Sequence, residues 1–317
     1  MPDYSEYLIV KDRKVECYNH YRGDYTFLCD MFWGEKEAKR IIRNQAKSND
    51  LKSEDIFSRV IINENLEEVS FQIEIPENES GEGVLLVERY LDLVKVNWAN
   101  WKVKYLEGGN YDVTRLLEEY NHSEVENLSP TVERYIPDYL EHIWDAPKGT
   151  LMSKEEENEI TYEFLNDNIA TIISKGEALL SQALSNQVSD SRLPFGGIHI
   201  DQNSRKISLW YTIEPVKIRE WAMRYWNTWE VEFEFWGYEN HYQRIGQEYK
   251  LSKIINKLEP RVIEKLKEQI TSEDKEPYLD IENNTYSFRP REMGKEAMVK
   301  KFETILKDGH RNEKNRD

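Results

Sequence analysis

Two short segments of this chain carry the same unusual arrangement of large rings. Trp98-Ala99-Asn100-Trp101 runs into Lys102-Val103-Lys104-Tyr105, and Trp226-Asn227-Thr228-Trp229 runs into Glu230-Val231-Glu232-Phe233-Glu234-Phe235. Each has a pair of tryptophans, then strict alternation of apolar and charged residues. Alternation is the period of a half-buried strand, and each tryptophan removes so much area from water that it must sit in or against a core. The match extends upstream. Residues 61–73 (IINENLEEVSFQI) align with residues 199–211 (HIDQNSRKISLWY), with Asn65 against Asn203 and Ser70 against Ser208. The spacing between the blocks differs, which places an insertion in the first copy, in the turn-like PENESGEG that begins at Pro76. The pattern reads as a duplicated module.

Ala99-Asn100 and Asn227-Thr228 are short polar pairs of the kind that close a tight hairpin, and Asn tolerates positive φ. The tryptophans are therefore expected to face each other across a hairpin tip, with residues 70–73 and 208–211 as a further strand in each copy. That makes each sheet a small antiparallel meander. Helical spacing is expected at 35–47; at 129–144, capped by Ser129-Pro130 and kinked at Pro137; across 155–187; at 250–270, broken at Pro260; and at 291–307, after which an apolar-poor tail frays. The fold class is α+β: two tandem, duplicated modules, each a small antiparallel sheet packed with helices. Turn chemistry in 145–154 puts the cut between a 1–148 module holding Trp98 and Trp101 and a 149–317 module holding Trp226, Trp229 and a helical C-terminus.

Charge limits the function classes. Among 317 residues, 60 are acidic and 43 basic, a formal charge of −17, yet 12% are aromatic. That aromatic share separates the chain from a disordered acidic one. The acidity argues against direct contact with nucleic acid or an anionic membrane, which needs clustered Lys and Arg. No stretch approaches the ~20 apolar residues that cross a bilayer, and the first residues lack a signal peptide's basic start and apolar core, so a cytoplasmic location is expected.

No phosphate-binding loop or nucleophile elbow is present. Cys17 and Cys29 lie near His20 but fit no zinc spacing and read as small buried residues. His199, Asp201, Glu239 and His241 would bind a metal if strands brought them together; polar strand neighbours explain them as well, and no cofactor is expected. The acidic row Glu230, Glu232 and Glu234 is the candidate partner-binding surface, set against Lys102 and Lys104 in the first copy. Absence of a catalytic set, acidity and abundant Trp and Tyr favour a non-catalytic binding protein. It would be an acidic inhibitor that covers the basic surface of another protein, such as a nucleic-acid-handling enzyme. Bacterial immunity proteins and phage-encoded inhibitors of host defences offer an analogy of charge and architecture. The alternatives are a metal-dependent hydrolase with a dispersed carboxylate/His site and a structural subunit of a homo-oligomer.

Overall fold

The computed structural model describes residues 4–12, 14–21, 23–48, 56–73, 80–106, 113, 159–164, 173, 176–181, 196–211, 218–235, 237–244, 246–271, 275–280 and 285–313. The chain forms two compact units. One comprises Met1–Glu74, Leu86–Ser129 and Arg261–Asp317, the other Ile75–Leu85 and Pro130–Pro260.

In the first unit, β1 (Tyr4–Lys11) and β2 (Lys14–Tyr21) form an antiparallel hairpin. Asp12 turns it at φ 47°, a left-handed conformation that a short polar side chain tolerates. After α1 (Gly23–Phe32) and α2 (Glu35–Ile42), β3 (Ala46–Ser48) pairs with β2. Next, β4 (Ile56–Asn63) runs parallel to β1 and turns into antiparallel β5 (Glu68–Ile73). Beyond α3 (Ser80–Asn97), β6 (Lys102–Tyr105) lies parallel to β5, giving the order β3-β2-β1-β4-β5-β6. Tyr7, Leu8, Ile9 and Val10 are all buried, so β1 is covered on both faces, and its continuous apolar run reflects that. On one side, Tyr7 stacks on Phe27 at 6.0 Å. Phe27 meets Phe71 edge-on and Phe71 meets Tyr90 edge-on. Leu8, Val10, Cys17, Ile61, Leu106 and Val113 form a separate cluster.

In the second unit, β7 (Glu159–Phe164), β8 (Gly196–Asp201) and β9 (Lys206–Tyr211) are antiparallel neighbours. A 3₁₀ turn occupies Gly176–Ser181. After α4 (Ile218–Tyr225), β10 (Glu230–Phe235) joins β9 in parallel, at the edge of the order β10-β9-β8-β7. The core gathers Ile173, Ile198, Ile200, Ile207, Leu209, Tyr211, Ala222 and Trp226. Then come α5 (Tyr238–Arg244) and α6 (Glu248–Thr271).

The segment from Arg261 packs within the first unit. It contains the hairpin β11 (Lys275–Asp280) and β12 (Thr285–Pro290), then α7 (Lys295–Glu313). Phe302 of α7 lies 5.7 Å from Phe32. Arg40 grips Glu276, with Nη1 donating to Oε1 at 2.7 Å. The sequence reading assigned this segment to the 149–317 module; the expected cut itself, and the helix over 129–144, lie outside the described residues.

The α+β class stands, with helices and two main sheets. Three local expectations change. The sheets are mixed rather than antiparallel meanders, because β5–β6 and β9–β10 are parallel. A parallel pair needs a crossover, and α3 and α4 supply it where a hairpin was expected. Within 155–187, Glu159–Phe164 is a strand, not helix. Its Ile160 and Phe164 are four apart, a spacing common to both periods, and the alternation with Tyr162 belongs to the strand. Pro260 stands inside α6, which continues through it; a mid-helix proline removes one hydrogen bond and need not end the helix. Among the described residues no helix is long and apolar enough to cross a membrane.

Candidate functional site

Both tryptophan pairs close a helix-to-strand turn. Trp98 extends α3, its backbone N–H donating to Val94 O at 2.9 Å, and the Trp101 N–H closes back on Trp98 O at 2.7 Å. The rings meet edge-to-face, 5.4 Å apart at 83°. Trp98 Nε1 donates to Met31 O at 3.0 Å and Trp101 Nε1 to Glu35 Oε2 at 3.1 Å. Lys39 both bridges Glu35 and sits 5.1 Å over the Trp101 ring. The second unit repeats each contact. Trp226 and Trp229 meet at 5.3 Å and 89°. Trp226 Nε1 donates to Ile173 O at 3.1 Å, and Trp229 Nε1 to Glu177 Oε1 at 2.7 Å. Arg205 bridges Glu177 and covers the Trp229 ring at 5.4 Å. The hydrogen bond from Trp229, then that from Thr228, holds the Glu177 carboxyl below its ordinary range.

The strand turns upstream repeat as well. Asn63 Oδ1 accepts from the N–H groups of Asn65 and Leu66, and Asp201 Oδ1 from those of Asn203 and Ser204. Glu67 and Arg205 follow at φ 49° and 53°, and their carbonyls accept the N–H of Lys102 and Glu230. Each unit also holds a Gly-Glu dipeptide, Gly34-Glu35 or Gly176-Glu177, whose carboxylate braces the second tryptophan. Two shared letters are too few to see in a sequence.

Those glycines are required. Gly34 has φ 99° and a Cβ there would lie 2.8 Å from Asn97 O; Gly176 has φ 54° and its Cβ would lie 2.7 Å from Tyr225 O. Gly246, at φ 65° with nothing within 4 Å, isolates the conformational part. In urea unfolding, Gly246→Ala is expected to cost about 1 kcal/mol. Gly34→Ala and Gly176→Ala should cost more, up to about 3 kcal/mol, because a carbonyl must also move.

The charged strands are arranged as mirror images in sign. On β10, Glu230 is 72% and Glu232 46% exposed, with Lys206 between them at 3.5 and 3.1 Å. The hydrogen bond from Lys206 lowers the Glu232 carboxyl against the effect of burial, with Ser208 adding to it. Glu234 is only 14% exposed and is clamped by Arg244 of α5, so it faces its own unit. On β6 the signs invert: Glu68 of β5 lies 2.5 Å from Lys104 and 3.9 Å from Lys102. A single opposite charge on the neighbouring strand thus partly neutralises each row.

The expected metal ligands are not gathered into one site; His199 is half-buried on β8, paired with Thr161 and Ser208 in register. Asp201 caps its turn, also accepting the Ser204 hydroxyl at 2.5 Å. His241 is fully buried on α5 with its ring 5.0 Å from Trp210, whereas Glu239 is exposed. Among the described residues, no group of three or more His, Cys, Asp or Glu is placed to hold a metal ion. Cys17 and Cys29 are buried free thiols.

His20 belongs to a buried polar cluster whose members are scattered along the chain. Its Nδ1 is 3.2 Å from Tyr7 OH and 4.0 Å from Asp30 Oδ2. Asp30 also accepts from Thr26 at 2.7 Å and from Arg291 at 2.5 Å. Glu6, next to Tyr7 in sequence, accepts from Arg59 at 2.6 Å, and Arg59 also donates to Gln72 at 3.0 Å. None of Tyr7, His20, Thr26, Asp30, Glu6 or Arg59 exceeds 3% exposure, which closes these groups to a substrate and gives them a structural role. Compared with protein-family models, with curated proteins and with solved structures, the chain matches none.

Proposed function

We propose that this is a non-catalytic binding protein whose second unit presents β10 to a basic surface on another protein. One observation carries the reading: Glu230 and Glu232 project from an edge strand at 72% and 46% exposure. Beneath them the Trp226–Trp229 turn and the Glu177 brace fix where the strand begins. In the described sheet β10 pairs on one side only, and charged side chains on such an edge deter pairing with arbitrary strands. The same charges favour a partner of opposite sign, and the net charge of −17 speeds its encounter. An inhibitor that occludes the basic groove of a nucleic-acid-handling enzyme fits this description. Glu234, held by Arg244, supports the strand and is not part of the contact surface.

The test is charge reversal. With the protein immobilised, a basic partner should be retained by wild type and by Glu234→Gln, and lost at least about tenfold by Glu230→Lys/Glu232→Lys, whose melting temperature should be unchanged. Retention should also fall as salt rises from about 50 to about 500 mM. Equal retention by the double variant removes the reading.

A further inference from the structure

We propose that a depression beside α2 in the first unit is a binding site for a compact polyanion of the oligophosphate type. The depression encloses about 670 Å³, within the ordinary size of ligand sites. Its lining gathers Lys36, Lys39 and Arg40 from α2 and Arg43 at its C-terminal cap with Lys11 from the end of β1, against Glu35 and Glu64. In a chain of net charge −17 this is a local reversal of sign. The helix explains how it arises. Ala38, Ile41 and Ile42 point into the core, so the cations, at positions i, i+3, i+4 and i+7, share the outward face.

Three of the cations have carboxylate partners. Lys11 and Lys39 share Glu64 at 2.9 and 2.7 Å, and Arg40 is held by Glu37 and Glu276. Burial works against ionisation of Glu64, but the hydrogen bonds from Lys39 and Lys11 outweigh it and keep the carboxyl below its ordinary range. Lys36 and Arg43 are exposed and, among the described residues, make no ion pair. They stand two turns apart, about 10 Å along the helix. One small anion cannot meet both, whereas a chain of phosphates carries several charges over such a span, and an arginine fork and a lysine point charge both suit phosphate oxygens.

The scaffold does not require a cation at positions 36 and 43. After Gly176-Glu177, the second unit's sequence continues Ala178-Leu179-Leu180-Ser181-Gln182-Ala183-Leu184-Ser185, without a single charge. Compactness follows from the charge distribution. At physiological salt the field of the depression reaches only about 8 Å, so a long polyanion would lie mostly over a repelling surface.

Titration calorimetry of the full chain with sodium tripolyphosphate tests the proposal. Saturable one-to-one binding is expected, weakened at least about tenfold in Lys36→Ala/Arg43→Ala. The control Lys295→Ala/Lys300→Ala, on exposed positions of α7, should bind as wild type does. ATP binding as tightly as tripolyphosphate would show that the phosphate chain alone is read, and tighter binding that a base is read as well; both support the site. No saturation by about 1 mM, equal binding by the Lys36/Arg43 variant, equal affinity for citrate, or tighter binding of duplex DNA would each overturn it.

Discussion

Trp98→Ala and Trp226→Ala are each expected to lower unfolding free energy by about 3–5 kcal/mol, the range for emptying a large aromatic site in a core. Both rings are 1% exposed. The loss exceeds ring volume alone, because each indole N–H satisfies a carbonyl, Met31 O or Ile173 O, that would lose its partner. Trp101→Ala and Trp229→Ala should cost less, since those rings are half-buried and their N–H groups bond to carboxylates that water also reaches. Urea unfolding followed by far-UV circular dichroism gives the order. If the outer pair proved as costly as the inner pair, the turn would not be anchored as described.

The second large effect lies in the buried cluster of the first unit. Asp30→Ala removes the carboxylate that Arg291 meets at 2.5 Å, in a site where Asp30 is fully buried and Arg291 6% exposed. Breaking a buried ion pair on one side costs about 3–5 kcal/mol, whereas replacing both partners by apolar residues is often close to neutral. Asp30→Leu/Arg291→Met should therefore recover much of the loss. His20 adds a pH signature. Burial lowers its proton affinity, Asp30 opposes that, and Arg291 reinforces it, for a net lowering. The folded state thus binds this proton less readily than the unfolded chain. Its contribution to stability is intact above the unfolded value of about 6.5 and declines as pH falls below it, by at most about 1.4 kcal/mol per pH unit. Unfolding midpoints measured across that window should show this component in wild type and lack it in His20→Gln. A His20-dependent contribution that grew as pH fell through that window would contradict the cluster as drawn.

Much of the framework was legible because it follows from period and turn chemistry. The strands at residues 68–73 and 206–211 and the long helix after Glu248 carry apolar spacings that allow one reading each. The tryptophan turns were misread because alternation after Trp101 and Trp229 is equally compatible with a hairpin or a crossover. The deciding signal was upstream, where Val84, Val87, Leu91, Val94 and Trp98 keep helical spacing and are all buried. The Gly-Glu brace and the Tyr7–His20–Asp30–Arg291 cluster were not legible, since their members are distant in sequence and meet only in the folded chain. Of the acidic row, alternation identified Glu230 and Glu232 as outward-facing, but Arg244, which captures Glu234, comes from a helix beyond the strand.

A sheet edge with two exposed glutamates offers a direct readout of contact. The deciding measurement is amide hydrogen exchange of the protein with and without the partner retained on the immobilised chain. Protection concentrated in residues 230–234 of β10, and abolished in Glu230→Lys/Glu232→Lys, is the expected result. Unchanged exchange along β10, with protection elsewhere on the chain, would contradict it.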